Sequence, residues 1–132
     1  MLYLDASAVV KLILAEAESP ALVAEIESVG VPVCTSVIAR VEVVRAVARN
    51  ASELLPQALS VLMRYRFVAL DRRLLDVAGT IGGPALRSLD AIHLASAMQV
   101  GALLTGFLAY DRRLLDAAAA LGLRAMSPGF HG

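Results

Sequence analysis

The 132-residue sequence predicts an α/β protein, a three-layer α/β/α sandwich around a central parallel sheet of four to five strands. Short apolar runs at residues 1–5, 31–35, 67–70 and 102–108 have the length of strands and are bounded by polar residues, glycine or proline. Between them lie longer stretches whose apolar residues recur every three or four positions. Strands that alternate with helices in this way pair in parallel, and the helices cover both faces.

The first strand ends at Asp5, after which Ala8, Leu12 and Ala15 fall at helical spacing. Ser19-Pro20 reads as a cap followed by proline at the first helical position, and Leu22, Val23, Ile26 and Val29 form a stripe that Gly30 stops. Residues 31–35 are a second strand. A helix is expected over 36–50 with Val37, Val41, Val44 and Ala48 on its buried stripe, and another over 51–66, where Pro56 stands early enough to be tolerated. The third strand, 67–70, leads into a helix over 71–81, and Gly82-Gly-Pro84 breaks the chain. Ser88 is expected to cap a helix over 89–100, with Gly101 as its stop and 102–108 as the fourth strand. A last helix over 111–121 closes at Gly122, and 123–126 is an edge strand. The whole is expected to be one domain over residues 1–132.

Composition narrows the function. Twelve basic and twelve acidic residues cancel, so no global field draws the chain to a polyanion, although eleven of the twelve bases are arginines, which grip phosphate with two parallel hydrogen bonds. Residues 1–30 set Lys11 against Asp5, Glu16, Glu18, Glu25 and Glu27, which leaves the remainder basic. A hydrophobic fraction of 58% and a mean hydropathy of +0.71 are high for so small a chain and imply an exposed apolar patch for a partner or a second copy. Residues 91–110 carry no acid, lysine or arginine, but His93, Ser96, Gln99 and Thr105 and a change of period at Gly101 argue against a membrane span. Asp5 and the lack of a basic leader argue against a signal peptide, and a single cysteine, Cys34, fits the cytoplasm.

Leu70-Asp-Arg-Arg-Leu-Leu-Asp76 and Tyr110-Asp-Arg-Arg-Leu-Leu-Asp116 share six consecutive residues, both at strand-to-helix junctions. The shared text encodes a capped, amphipathic helix start, and Asp71 reads as such a cap. The acids elsewhere carry more. In an open α/β sheet the residues that end strands or begin the next helices converge on the carboxyl edge. Asp5, Asp90 and Asp111 meet that condition. Glu42 differs, set mid-helix among valines, where it either pairs with Arg45 on the surface or points at a purpose.

Two unit charges ~4 Å apart repel by about 4 kcal/mol at an effective dielectric of ~20, so a cluster of such carboxylates requires a cation or protons. Oxygen-only ligands favour Mg²⁺ or Mn²⁺, and such an ion activates water and stabilises a phosphodiester under attack. The two histidines, His93 and His131, lack a ligand spacing, and His93 reads as a packed core residue.

Asp5-Ala-Ser7 after an apolar strand, Thr35-Ser36 six residues before Glu42, Leu89-Asp-Ala-Ile-His-Leu-Ala95 and Phe107-Leu-Ala-Tyr-Asp111 together resemble the PIN domain, in particular the VapC-type toxins of bacterial toxin–antitoxin pairs. The resemblance spans essentially the whole chain. It implies a Mg²⁺- or Mn²⁺-dependent endoribonuclease that cuts tRNA or ribosomal RNA to leave 5′-phosphate and 3′-hydroxyl ends. A homodimer and a VapB-like antitoxin that blocks the groove are implied with it. Matched residue by residue, the family's acids fall on Asp5, Glu42, Asp90 and Asp111, as catalytic residues and metal ligands. Ser7 matches a small polar residue beside the first acid, and Arg45 matches a basic position that contacts RNA or antitoxin. Ala109 departs from the pattern, since many members have threonine there, which weakens the assignment of Asp111 and makes Asp116, a turn further on, its understudy. The alternative within the same fold is a PIN module that binds RNA or protein without cutting. A haloacid-dehalogenase-like phosphatase would have a second Asp where Ser7 stands. A receiver domain would have paired acids at the first strand and a lysine after the fifth, whereas Lys11 is the only lysine.

Overall fold

In the computed structural model, which describes residues 1–131, five strands form one parallel sheet: β1 (Leu2–Leu4), β2 (Val33–Ser36), β3 (Arg66–Val68), β4 (Gly106–Leu108) and β5 (Ala125–Met126). Their order is β3-β2-β1-β4-β5, with Tyr3 opposite Cys34 on one side and Phe107 on the other. The chain builds outward from β1, then returns to build the other way with β4. The order therefore reverses between β1 and β4, where open sheets of this kind bind ligands.

Among the described residues seven helices cover the sheet: α1 (Ala6–Lys11), α2 (Ser19–Val29), α3 (Ala39–Asn50), α4 (Leu55–Leu62), α5 (Arg72–Ala78), α6 (Ser88–Val100) and α7 (Arg112–Ala120). Alternation along β1 assigns the two faces. Leu2 and Leu4 join Val9, Leu22, Val43 and Leu62 from α1 to α4 in one core, and Tyr3 between them packs with Cys34, Phe107, Leu94 and Leu114 in the other. The three-layer α/β/α architecture expected from the alternation of runs is the one found.

Local departures have local causes. The helix after Asp5 stops at Lys11 because Ser19, expected as a cap, ties down the following loop instead. Its hydroxyl donates to Lys11 O at 2.6 Å and accepts from Glu16 N–H at 3.0 Å. The stripe of α3 is Ala39, Val43 and Val47, not the one through Val41, which is 60% exposed. Val37 lies in the turn before the helix with its N–H on Val68 O, so it does not set the helical phase. A 3₁₀ turn over Ser52–Leu54 precedes α4 and puts Pro56 in its first turn. A second one, over Gly101–Leu103, takes the first half of the expected fourth strand. Residues 91–110 are thus divided mainly among α6, that turn and β4, and among the described residues no helix is long and apolar enough to cross a membrane.

Both copies of the repeated heptad do the same work. Asp71 accepts from Leu74 N–H at 2.8 Å and Asp111 from Leu114 N–H at 3.0 Å, and each leucine so placed is buried. At the other end of β4, Gly106 lets strands β1 and β5 close in. A Cβ there would lie 2.8 Å from Met126 Sδ and 3.3 Å from Leu2 Cδ2. Gly106→Val is expected to cost about 1–3 kcal/mol by overpacking, measured as a lower urea midpoint.

Candidate active site

Asp5 follows β1 without a break, and its backbone N–H still pairs across the sheet with Leu108 O at 3.1 Å. Its Oδ1 accepts from Ala8 N–H at 3.0 Å, which makes it the N-cap of α1. Ser7 Oγ donates to the same oxygen at 2.6 Å and accepts from Tyr110 N–H at 3.2 Å, so one hydroxyl links the ends of β1 and β4. Capping and chemistry are therefore compatible at this residue. Among the described residues nothing donates to Asp5 Oδ2, although the residue is only 4% exposed. Burial raises the Asp5 carboxyl above the ordinary aspartate range. His93 nearby and the bonds from Ser7 and Ala8 pull it partly back, and the charge of Asp90 pushes it further up.

Helix α6 gathers the other groups. Asp90 lies in its first turn, and His93, three residues on, shares its face. The His93 ring is 1% exposed and bonded at both nitrogens, with Nδ1 2.7 Å from Tyr3 Oη and Nε2 2.7 Å from Glu42 Oε1. Glu42 sits in the first turn of α3 and not in mid-helix, because that helix starts only at Ala39. It does not make the surface pair with Arg45 that its spacing allows. Arg87, the residue before α6, bridges two more acids, with Nε 3.2 Å from Asp90 Oδ2 and Nη2 3.5 Å from Asp111 Oδ2.

The four acids assigned from the sequence thus lie toward one rim, and one basic side chain joins two of them. Asp90 and Asp111 share Arg87, Glu42 is bonded to His93, and Asp5 feels the charges of both His93 and Asp90. Among the described residues no three His, Cys, Asp or Glu side chains close into a group that could hold a metal ion. Arg87 offsets the repulsion between Asp90 and Asp111, and His93 holds Glu42 by a hydrogen bond. Asp111, not Asp116, takes part in the Arg87 bridge, and Asp116 is exposed one turn further along α7. In the absence of the threonine at Ala109, the capping bond and Arg87 hold the Asp111 carboxylate.

A cleft of about 640 Å³ opens beside Ser7 and Glu42, with Arg45, Arg49, Val41, Leu89 and Tyr110 along its walls. Lys11 also faces it but is engaged by Glu18 at 3.1 Å and Glu16 at 3.6 Å. Arg45 and Arg49 have no ion-pair partner among the described residues. Sequence reasoning missed Tyr3 and Arg87 at this site and read His93 only as packing. The one available signal was the i, i+3 spacing of Asp90 and His93, which puts the histidine on the face of an assigned acid without naming its partner.

Fold and site together define the class: the chain belongs to the PIN domain family, whose model matches residues 2–120. Among curated relatives it is 42% identical to Ribonuclease VapC35 of Mycobacterium tuberculosis over 104 residues, 78% of this chain and 77% of that protein. It is 38% identical to Ribonuclease VapC47 of the same species over 133 residues, 98% of each chain. Among solved structures it is similar to M. tuberculosis VapC20, a sarcin-ricin loop cleaving toxin, with a TM-score of 0.75 at 17% identity over 97% of this chain and 100% of that one. VapBC2 from Rickettsia felis, solved bound to a promoter DNA fragment, gives 0.72 at 13% identity over 97% of this chain and 99% of the other. At such identities these two structures speak for the fold.

Proposed function

We propose that this chain is a divalent-metal-dependent endoribonuclease acting as a single PIN domain over residues 1–132, a VapC-type toxin restrained by a VapB-like antitoxin. The observation that carries the reading is Asp5, a nearly sealed carboxylate with one oxygen anchored and the other without a donor, at the point where the sheet order reverses. Relatives named as ribonucleases at about 40% identity over most of their length support it.

The donor set fits Mg²⁺ or Mn²⁺ in kind, since the groups drawn to the rim are carboxylates and the open oxygen of Asp5 is a hard ligand. Asp5, Glu42 and Asp90 are the residues assigned to hold the ion, with Asp111 completing or tuning the site. A bound ion supplies Lewis acidity, lowering the pKa of an attacking water and offsetting charge on the phosphate. The chain's own residues do the rest. Ser7 fixes Asp5 through Oδ1, His93 fixes Glu42 through Oε1, and Arg87 balances Asp90 and Asp111 from the solvent side. Arg45 and Arg49 line the cleft with donors for a ribose-phosphate backbone. Unstacked loops of tRNA or ribosomal RNA are the substrate class, with 5′-phosphate and 3′-hydroxyl products. Val41 and Leu89 at the cleft mouth, 60% and 49% exposed, offer apolar surface to an antitoxin. A homodimer in the cytoplasm completes the reading.

Incubating the purified chain with total tRNA and ribosomal RNA tests it. With Mg²⁺ or Mn²⁺, cuts at a few positions with 5′-phosphate ends are expected, and EDTA should stop them. Expression should arrest growth, and co-expression of the small protein encoded beside the toxin should restore it. RNA that is bound but left intact with either ion would favour the non-cutting PIN module instead.

A further inference from the structure

We propose that His93 is a positioning residue for the assigned metal site: anchored by the Tyr3 hydroxyl, its ring donates Nε2–H to Glu42 Oε1, fixing one carboxylate oxygen and leaving the other for the cation. The inference rests on the metal-dependent reading above and deepens it.

Three segments far apart in sequence meet at this ring. Tyr3 is 90 residues from His93 and Glu42 is 51 residues away, and both contacts are 2.7 Å. An ionised carboxylate only accepts, so the hydrogen between His93 and Glu42 belongs to Nε2. Packing alone does not call for histidine here, because a leucine would fill an apolar site in a helix of Ala and Leu without a polar group to satisfy. A buried imidazole is tolerated because both of its nitrogens are bonded.

The anchor is itself rigid. Tyr3 is fully buried in β1 and stacks on Phe107 of β4, with ring centroids 5.4 Å apart and planes within 5°. Tyr3 stands two residues before Asp5 on the same strand. The strand that carries Asp5 therefore also sets, through Tyr3 and His93, where the carboxylate of Glu42 stands. One rigid strand references two assigned ligands, Asp5 at its own end and Glu42 on α3. Groups that hold a ligand's orientation from behind in this way usually change metal affinity by 10- to 100-fold when removed.

The test compares His93→Leu, His93→Gln and Tyr3→Phe with the parent chain, each checked for folding by circular dichroism, and reads Mn²⁺ binding by calorimetry and electron paramagnetic resonance. His93→Leu should bind Mn²⁺ roughly 10- to 100-fold more weakly. His93→Gln, whose amide can donate from nearly the same place, should recover most of that loss. Tyr3→Phe keeps the stacking and loses the anchor, so an intermediate loss is expected. Equal Mn²⁺ affinity in parent and His93→Leu, or no recovery by Gln, would overturn the inference. Should the Leu variant fail to fold, unchanged affinity in Tyr3→Phe would overturn it. Nitrogen-15 spectra of the parent provide a readout without metal: a proton on Nε2 is expected, and an unprotonated Nε2 would overturn the assignment. If the parent itself bound no Mn²⁺, the metal-dependent reading would fall first and take this inference with it.

Discussion

Asp5→Asn should cut RNA about a thousandfold more slowly or worse, some 4 kcal/mol added to the barrier, while the protein stays folded and becomes no less heat-stable at pH 7. The two halves have one cause. Asn retains an oxygen that can accept from Ser7 and Ala8 in place of Oδ1, so the cap of α1 survives. What disappears is the buried charge. The folded protein raises the Asp5 carboxyl above its unfolded value, chiefly by burial. Ionising it therefore works against folding at every pH above the ordinary aspartate range. The cost begins as pH rises through the unfolded value and is complete above the folded one. Melting curves of parent and variant should accordingly differ most near neutrality, with Asn the higher, and converge as acid protonates Asp5 in the parent. Adding Mn²⁺ should raise the melting temperature of the parent and leave Asp5→Asn nearly unmoved. Undiminished cleavage by the variant would remove Asp5 from the site. A variant less stable than the parent at pH 7 would show that the carboxylate serves structure first.

The rim of acids was legible in the sequence because it depends on topology. A short apolar run ending in Asp5, and helices opening near Asp90 and Asp111, place those residues at one edge of any parallel sheet built from these strands. Partnerships were not legible. The bond between His93 and Glu42 joins α6 to α3 across 51 residues, and nothing in the period of either helix announces it. Arg87 follows Gly82-Gly-Pro84, where the backbone direction depends on two glycines with positive φ, so its return to both Asp90 and Asp111 could not be read from spacing alone. The phase of α3 was misread for a related reason. Valines occur on several sides of that helix, and the choice between the Val41 stripe and the Val43 stripe is made by the turn that ties Val37 to β3. This phase has a functional consequence, since it leaves Val41 exposed at the cleft mouth and brings Glu42 to the rim.

Arg45 and Arg49 supply the second large effect, because the same phase sets them along the cleft with Glu42. Residues 42, 45 and 49 follow one another at helical spacing, and all three line its wall. Two like charges four residues apart weaken an isolated helix by a few tenths of a kcal/mol, and neither arginine has an acid to offset this among the described residues. A polyanion lying in the cleft would supply that offset. The double variant Arg45→Glu/Arg49→Glu, built on Asp5→Asn so that RNA stays intact, should bind a tRNA anticodon stem-loop more than about tenfold less tightly at low salt. Each lost phosphate contact on a single strand lowers the slope of log K against log salt by about 0.7, so a double loss should flatten it by about 1.4. On the cleaving background the same pair should raise KM and leave kcat within a few-fold, since neither residue is assigned to the ion. Fluorescence anisotropy at several salt concentrations measures affinity and slope, and initial cleavage rates against RNA concentration measure KM and kcat. Affinity and slope unchanged from Asp5→Asn would mean that these arginines are merely solvated and that the RNA takes another path to Asp5. A fall in kcat at constant KM would instead place one of them at the reacting phosphate.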